Sequence, residues 1–327
     1  MKAYVIRSYG PPDVLELTDV DTPAPGPGEV LVRVRATSVQ PYDWHHMRGE
    51  PYVARLMGGT VGPRRPRIGI LGADVAGEVE AVGAGVTAFR PGDGVFALLT
   101  QGGFAEYVCV PEGALARKPG NLSFEQAAAV PMAAVTALIA LDLGRVQAGH
   151  EVLVNGASGG VGTFAVQLAK AFGAEVTAVC SGRNADLVRS IGAGEVVDYT
   201  KEDFTRRGRR HDLLIDIAGT RALPACARVL KPRGTHVVVG GPAGRWLQPV
   251  RHIMGTLAAS PFVSQRVVVA QVAYGEQARG DLMRLTDLIE DGTVTPVIGR
   301  TYAFGELPTA VAYVERGHAA GKVVVTI

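Results

Sequence analysis

Two periods of apolar residues divide the chain. In the first hundred residues, short Val-rich runs with alternating character stand at 3–6, 30–35, 75–82 and 104–110. Gly/Pro clusters bound them at 10–12, 23–28, 83–85 and 91–94. Alternation between turn clusters predicts half-buried strands, so this part reads as β-rich. Residues 40–49 and 58–69 follow neither period and read as irregular.

The pattern changes after Pro119. Ser123 followed by Gln126 is a capping box that opens an Ala-rich helix. A strand is predicted at 152–154. Val161, Phe164, Ala165, Leu168, Ala169 and Phe172 then follow at helical spacing. A strand at 176–179 precedes a helix that carries Leu187, Val188 and Ile191 on one face. Three more strands are predicted at 196–197, 213–217 and 236–239, and a sixth at 265–272. Strands that are apolar throughout, alternating with helices, predict βαβ units with both sheet faces covered. A helix at 281–290 and a strand at 322–327 close the chain.

Composition narrows the function. Lys plus Arg is 33 against 31 Asp plus Glu, a formal charge of +2, so no global charge draws the chain to nucleic acid or an anionic membrane. Apolar residues at 47% and charged residues at 20% predict a folded globular protein. Cys109, Cys180 and Cys226 lie far apart, with no CxxC pair, which excludes a disulfide framework and a Cys-rich zinc lobe. The N-terminus has no signal-like apolar core, and the uncharged stretch at 126–141 is too short to span a bilayer. A cytoplasmic, reducing location is expected.

The informative segment is Val152-Leu-Val-Asn-Gly-Ala-Ser-Gly-Gly-Val-Gly162, a glycine-rich turn between a strand and a helix. It carries a GxGxxG-type dinucleotide fingerprint, with Ala157 in the first glycine position. Gly159 lets backbone approach a pyrophosphate, and Gly162 lets the helix pack on its strand. Ser158, Gly159, Gly160, Val161 and Gly162 would therefore cradle the phosphates at a helix N-terminus. An NAD-preferring site places an acid at the end of the second strand. Here that position reads Cys180-Ser181-Gly182-Arg183, with no acid. Ser181 offers a hydroxyl and Arg183 a guanidinium for a 2′-phosphate, so the expected cofactor is NADPH. Tyr199 either closes the same pocket or packs. Gly240 and Gly241 would let the nicotinamide half approach the backbone.

With these residues in hand, the chain resembles the zinc-independent quinone oxidoreductase (zeta-crystallin-like) branch of the medium-chain dehydrogenase/reductase superfamily. The resemblance runs along nearly the whole chain. It is carried by Pro25-Gly-Pro-Gly-Glu-Val-Leu-Val-Arg-Val34, Leu71-Gly-Ala-Asp-Val-Ala-Gly-Glu-Val-Glu-Ala-Val-Gly83, Phe89-Arg-Pro-Gly-Asp-Gly-Val95, Gly103-Phe-Ala-Glu-Tyr107, Leu122-Ser-Phe-Glu-Gln-Ala-Ala-Ala-Val-Pro131, the glycine loop and Gly321-Lys322-Val323. It implies an α/β protein with two parts. One is a GroES-like, β-rich catalytic domain at 1–121 and 273–327. The other is a Rossmann, doubly wound parallel-sheet domain at 122–272.

Zinc-dependent relatives carry a Cys in the early loop and a Gly-His-Glu motif further on. Here Gln40 and Ala73 stand at those places, and the adjacent His45 and His46 do not converge on one ion, so no metal is expected. Without a Lewis acid, a polarised double bond suits the site better than an alcohol. The expected reaction is NADPH-dependent hydride transfer to a quinone or an α,β-unsaturated carbonyl compound. The resemblance places Gln40 where relatives have Asn, and Tyr42 where zinc-dependent relatives have a proton-relaying hydroxyl; both are catalytic candidates. It also places Thr136 and Lys322 on the cofactor. An NADPH-binding regulatory protein with little turnover, or an alcohol dehydrogenase, is the alternative. The apolar run at 265–272, as a last strand, would leave a free edge and favour a homodimer.

Overall fold

The structure is a computed structural model that describes residues 1–57 and 61–327. Residues 58–60 of the segment read as irregular lie outside the described residues. The chain divides into two compact units, Met1–Val135 with Ala273–Ile327, and Thr136–Val272.

The first unit is built on a seven-stranded sheet in the order Ile298–Ala303, Lys322–Thr326, Glu29–Val39, Asp74–Val82, Gly94–Leu98 and Ala116–Arg117, with Tyr107–Pro111 also paired to Glu29–Val39. The long strand Glu29–Val39 organises it. Its alternation puts Val30, Val32 and Val34 on one face, where they join Val75, Val79 and Val95 in a buried cluster. A second cluster gathers Trp44, Met47, Leu71, Phe104, Leu307 and Val323.

Residues 40–49 are not irregular. They form the helix Pro41–Arg48, with Gln40 at the N-cap and Gly49 in the left-handed conformation at the C-cap (φ 61°). Pro41 supplies a preset φ at the first helical position, and the Asp43 carboxylate accepts from the Gln40 backbone N–H at 3.0 Å. The capping box at Ser123 and Gln126 forms with both bonds, at 3.2 and 3.0 Å. Pro131 splits the Ala-rich run into Phe124–Ala128 and Pro131–Gly144.

The second unit holds a six-stranded parallel sheet in the order Glu195–Asp198, Glu175–Cys180, Glu151–Asn155, His211–Asp216, Leu230–Val238 and Arg266–Val269. In chain order this is 3-2-1-4-5-6, the doubly wound arrangement. The last strand is four residues long rather than spanning 265–272. A helix not foreseen in the sequence, Val250–Ala259, precedes it.

Candidate active site

In an open parallel sheet, ligands bind beyond the carboxyl ends of the strands where the order reverses. Here the order reverses between Glu151–Asn155 and His211–Asp216. The chain leaves Asn155 through Gly156 (φ 94°), and the helix Gly160–Ala171 begins with Gly159 as an N-cap that has no side-chain bond. Thr163 N–H bonds to the Gly159 carbonyl at 2.9 Å, so the N–H groups of Gly160, Val161 and Gly162 precede the first helical bond. A Cβ on Gly162 would stand 2.2 Å from the Gly156 oxygen, which only glycine avoids. A Cβ on Gly159 would meet nothing nearer than the Gly156 oxygen at 3.6 Å, so that side is open. An open glycine face on a helix start with unbonded N–H groups fits a phosphate.

Ser158 is tied to the next unit of the fold: its Oγ accepts from Asn184 Nδ2 at 2.9 Å. Ser181, half-buried, leads into the turn Gly182–Asn184, which carries the exposed Arg183. Tyr199 N–H donates to the Cys180 carbonyl at 3.1 Å, bringing the exposed Tyr199 to the same strand end. The structure thus gathers Ser158, Ser181, Arg183 and Tyr199 along one edge of the sheet. Sequence reading missed Asp198 there, because it ends the third strand rather than the second. Its Oδ1 accepts from Thr200 Oγ1 at 2.7 Å and Thr200 N–H at 3.0 Å, and these bonds hold its carboxyl below the usual carboxylate range.

Gly240 and Gly241 follow the strand Leu230–Val238. A Cβ on Gly240 would lie 2.5 Å from the Ile217 oxygen, and one on Gly219 would lie 2.5 Å from the Gly241 Cα. Backbone meets backbone between these two loops. Thr136 is buried in the helix Pro131–Gly144.

Below the loops lies a buried cluster that no sequence signal marked. Asp216 Oδ1 accepts from Asn155 Nδ2 at 2.7 Å and Gly219 N–H at 3.0 Å, and Oδ2 lies 3.2 Å from His236 Nε2. Donor atoms of Asp216, Cys226 and His236 come within 4.8 Å of one another. The Asp216 carboxylate already accepts these bonds, and burial pushes the Cys226 thiol far up, keeping it protonated. Asp216, bonded to Asn155 and beside His236, therefore ties three neighbouring strands together, and the protonated Cys226 on the helix Leu223–Arg228 makes the cluster a poor metal site.

The other polar cluster belongs to the first unit. Lys322, 3% exposed, donates to Gln40 Oε1 at 2.8 Å and to Asp74 Oδ2 at 3.1 Å. Asp74 also accepts from Ser38 Oγ at 2.5 Å and, through Oδ1, from Met132 N–H at 2.8 Å. Burial pushes the Asp43 carboxyl up to about 8, so at neutral pH it is mostly protonated. Tyr42 donates to the Thr100 carbonyl at 3.1 Å, and burial raises its hydroxyl pKa. Beside it, both amide atoms of Gln101 are buried with no hydrogen-bond partner among the described residues. His45 and His46 turn their Nδ1 atoms to the carbonyls of Glu50 and Tyr42, at 3.1 and 2.8 Å. Burial lowers His45 to about 4 and moves His46 down as well, which favours neutral rings. The structure thus brings Gln40, Tyr42 and Lys322 to one end of the helix Pro41–Arg48. Lys322 is engaged within this unit.

Residues 26–120 match the alcohol dehydrogenase GroES-like domain, and residues 191–325 match the zinc-binding dehydrogenase family. The chain is 35% identical to NAD(P)H oxidoreductase RTN4IP1, mitochondrial, of Mus musculus, covering 100% of this chain and 89% of that protein. It is 33% identical to the NADPH-dependent alkenal/one oxidoreductase, chloroplastic, of Arabidopsis thaliana, covering 99% of this chain and 79% of the relative. Among solved structures, the quinone oxidoreductase from Coxiella burnetii superposes with a TM-score of 0.85 at 30% identity, over 100% of this chain and 99% of that one. The expectation of a cytoplasmic location does not stand, because relatives matched along the whole chain are mitochondrial and chloroplast proteins by name. Among the described residues no helix is long and apolar enough to cross a membrane. The GroES-like match, the doubly wound sheet and identity sustained along the chain make it an oxidoreductase that belongs to the medium-chain dehydrogenase/reductase superfamily, in its quinone oxidoreductase branch.

Proposed function

We propose that the chain uses NADPH to reduce a quinone or an α,β-unsaturated carbonyl compound, and that it does so without a metal. The observation that carries this reading is the open face of Gly159 on a helix start whose first N–H groups precede the helical ladder. Residues 158–162 would hold the pyrophosphate; Ser181, Arg183 and Tyr199 would hold the 2′-phosphate. Gly240 and Gly241 would allow close backbone approach of the nicotinamide half, and Thr136 would lie near the ring. The bound cofactor supplies the hydride. The protein supplies orientation and hydrogen-bond donors for the oxygen that gains charge as hydride adds to the far carbon. Gln40, through its Nε2, is the donor we assign to that oxygen, and Tyr42 would join it by turning its hydroxyl from the Thr100 carbonyl. Names among the relatives, quinone oxidoreductase and alkenal/one oxidoreductase, support this substrate class over an alcohol.

The absence of a metal step is argued from donors. Gln40 and Ala73 offer neither thiolate nor imidazole, and the Lys322 ammonium, 2.8 Å from Gln40 Oε1, is a poor neighbour for a cation. Purified protein should oxidise NADPH with a simple quinone or enone, and dialysis against a strong chelator should leave the rate unchanged. A stoichiometric zinc lost together with activity would refute the metal-free reading.

We further propose a homodimer through the sheet edge. Arg266–Val269 is the end strand of its sheet, and Met254, on the helix packed beside it, and Phe262 are exposed at 60% and 88%. A free, β-branched edge beside bare aromatic surface favours pairing with its own copy about a two-fold axis. Ala270 N–H bonds inward to the Val238 carbonyl, so by alternation the N–H groups of Val267 and Val269 point outward. Val267→Pro should therefore weaken the dimer while sparing the ladder within the unit. Sedimentation of the wild-type protein as a monomer at micromolar concentration would overturn this assignment.

A further inference from the structure

The buried amide of Gln40 is held by one end only. Its Oε1 accepts from the Lys322 ammonium at 2.8 Å, while its Nε2 is buried with no hydrogen-bond partner among the described residues. An ammonium has donors and no acceptor, so this contact fixes which end of the amide faces Lys322. The NH2 end is turned away from Lys322. Gln40 itself is 6% exposed and sits at the N-cap of Pro41–Arg48, where its backbone N–H is held by Asp43. Lys322 is fixed in turn by Asp74, whose two oxygens also take Ser38 Oγ and Met132 N–H. A buried amide donor left open, on a side chain this firmly anchored, is a group prepared for an acceptor that arrives from outside.

We propose that Lys322 is a positioning residue: through Asp74 and the Gln40 amide oxygen, it presents the Gln40 NH2 as a hydrogen-bond donor to the substrate oxygen that gains charge during reduction. The inference rests on the reductase reading and deepens it. The ammonium does more than orient. A cation bonded to an amide oxygen draws electron density from the nitrogen, so the N–H donates more strongly, and such chains of bonds reinforce one another in a low-dielectric interior. The interaction grows as charge develops on the substrate oxygen, so it favours the transition state over the bound ground state.

The test is a cycle of variants. Lys322→Met alone strands the Asp74 carboxylate, so it is made together with Asp74→Asn. This pair should lower kcat by roughly ten- to a hundred-fold with an enone, and leave NADPH affinity within two-fold of wild type. Gln40→Ala should cause a similar loss. In the Gln40→Ala background the pair should change kcat by less than two-fold, because Lys322 acts through the amide it no longer has. Binding of 4-nitrophenolate with NADP+ present, which reads oxyanion affinity without turnover, should weaken in step with kcat. Lys322→Arg, which still donates to the amide oxygen, should recover most of the rate. If the paired variant fails to fold, Gln40→Glu decides: it keeps an acceptor for Lys322 and removes the donor, and it should abolish 4-nitrophenolate binding. Losses that multiply across the cycle, or a Gln40→Ala enzyme with unchanged kcat, would overturn the inference and leave the reductase standing. Wild-type protein that oxidises NADPH with no quinone or enone would overturn both.

Discussion

Lys322→Met should lower folding stability by about 3–5 kcal/mol, the usual loss when one partner of a buried ion pair is removed. The mechanism is asymmetric. Lys322 and Asp74 are 3% and 0% exposed and meet at 3.1 Å. Their mutual attraction mainly offsets what their burial takes away, so the pair contributes little net stability. Without the ammonium, the Asp74 carboxylate stays buried with only Ser38 Oγ and Met132 N–H as donors among the described residues. A buried, unpaired carboxylate either takes up a proton or opens the structure. Adding Asp74→Asn removes the stranded charge and should return most of the stability. Urea denaturation of the wild type, the single variant and the double variant would measure both steps. A single variant within about 1 kcal/mol of wild type would show that the pair is hydrated and that burial does not govern it.

That pair also marks where sequence reading ends. Lys322 and Gln40 are 282 residues apart, and nothing in either local pattern announces the partner. The doubly wound unit was legible because its inner strands carry short buried apolar runs, 152–154, 213–215 and 237–238 among them. Val152, Leu153 and Val154, for example, are all buried, and a glycine turn follows at once. The cradle at Gly159 and Gly162 was legible for a different reason, since close approach demands glycine and glycine is visible in the text of the chain. The helix Pro41–Arg48 was missed because it buries only Trp44 and Met47 as apolar residues, too few to set a period; its signals were Pro41, Asp43 and Gly49. Val250–Ala259 was missed because Met254 and Leu257 are exposed, which blurs the division of its faces. The strand Ile298–Ala303 buries only Tyr302, so alternation had nothing to mark. Asp198 was overlooked because an acid was sought at the end of the second strand. The parallel register brings the end of the third beside it, pairing Asp198 with Cys180.

Arg183→Ala should weaken NADPH about ten- to a hundred-fold and leave NADH nearly unchanged. A hydrogen bond to a charged group contributes roughly 1.5–3 kcal/mol, and each 1.4 kcal/mol is about tenfold in affinity. Arg183 stands in the turn that follows the second strand, where an exposed guanidinium can reach a dianion without first being desolvated. Exposure also limits the gain, so the ratio should shrink as salt rises. An unengaged Asp198 carboxylate at this place would repel a 2′-phosphate. Its Oδ1, however, is bonded twice by Thr200, and its Oδ2 takes the Gly182 backbone N–H and lies 3.7 Å from the Lys201 ammonium, so both oxygens are already engaged. This arrangement makes a second outcome specific. Asp198→Asn should strengthen NADPH only slightly, because the carboxylate is already engaged, whereas an acid facing the ribose would show its removal as a large loss of NADH. Fluorescence titration of both cofactors against both variants, at two ionic strengths, separates these cases. Equal losses of NADPH and NADH on Arg183→Ala would show that the guanidinium serves the fold and that the 2′-phosphate is read elsewhere.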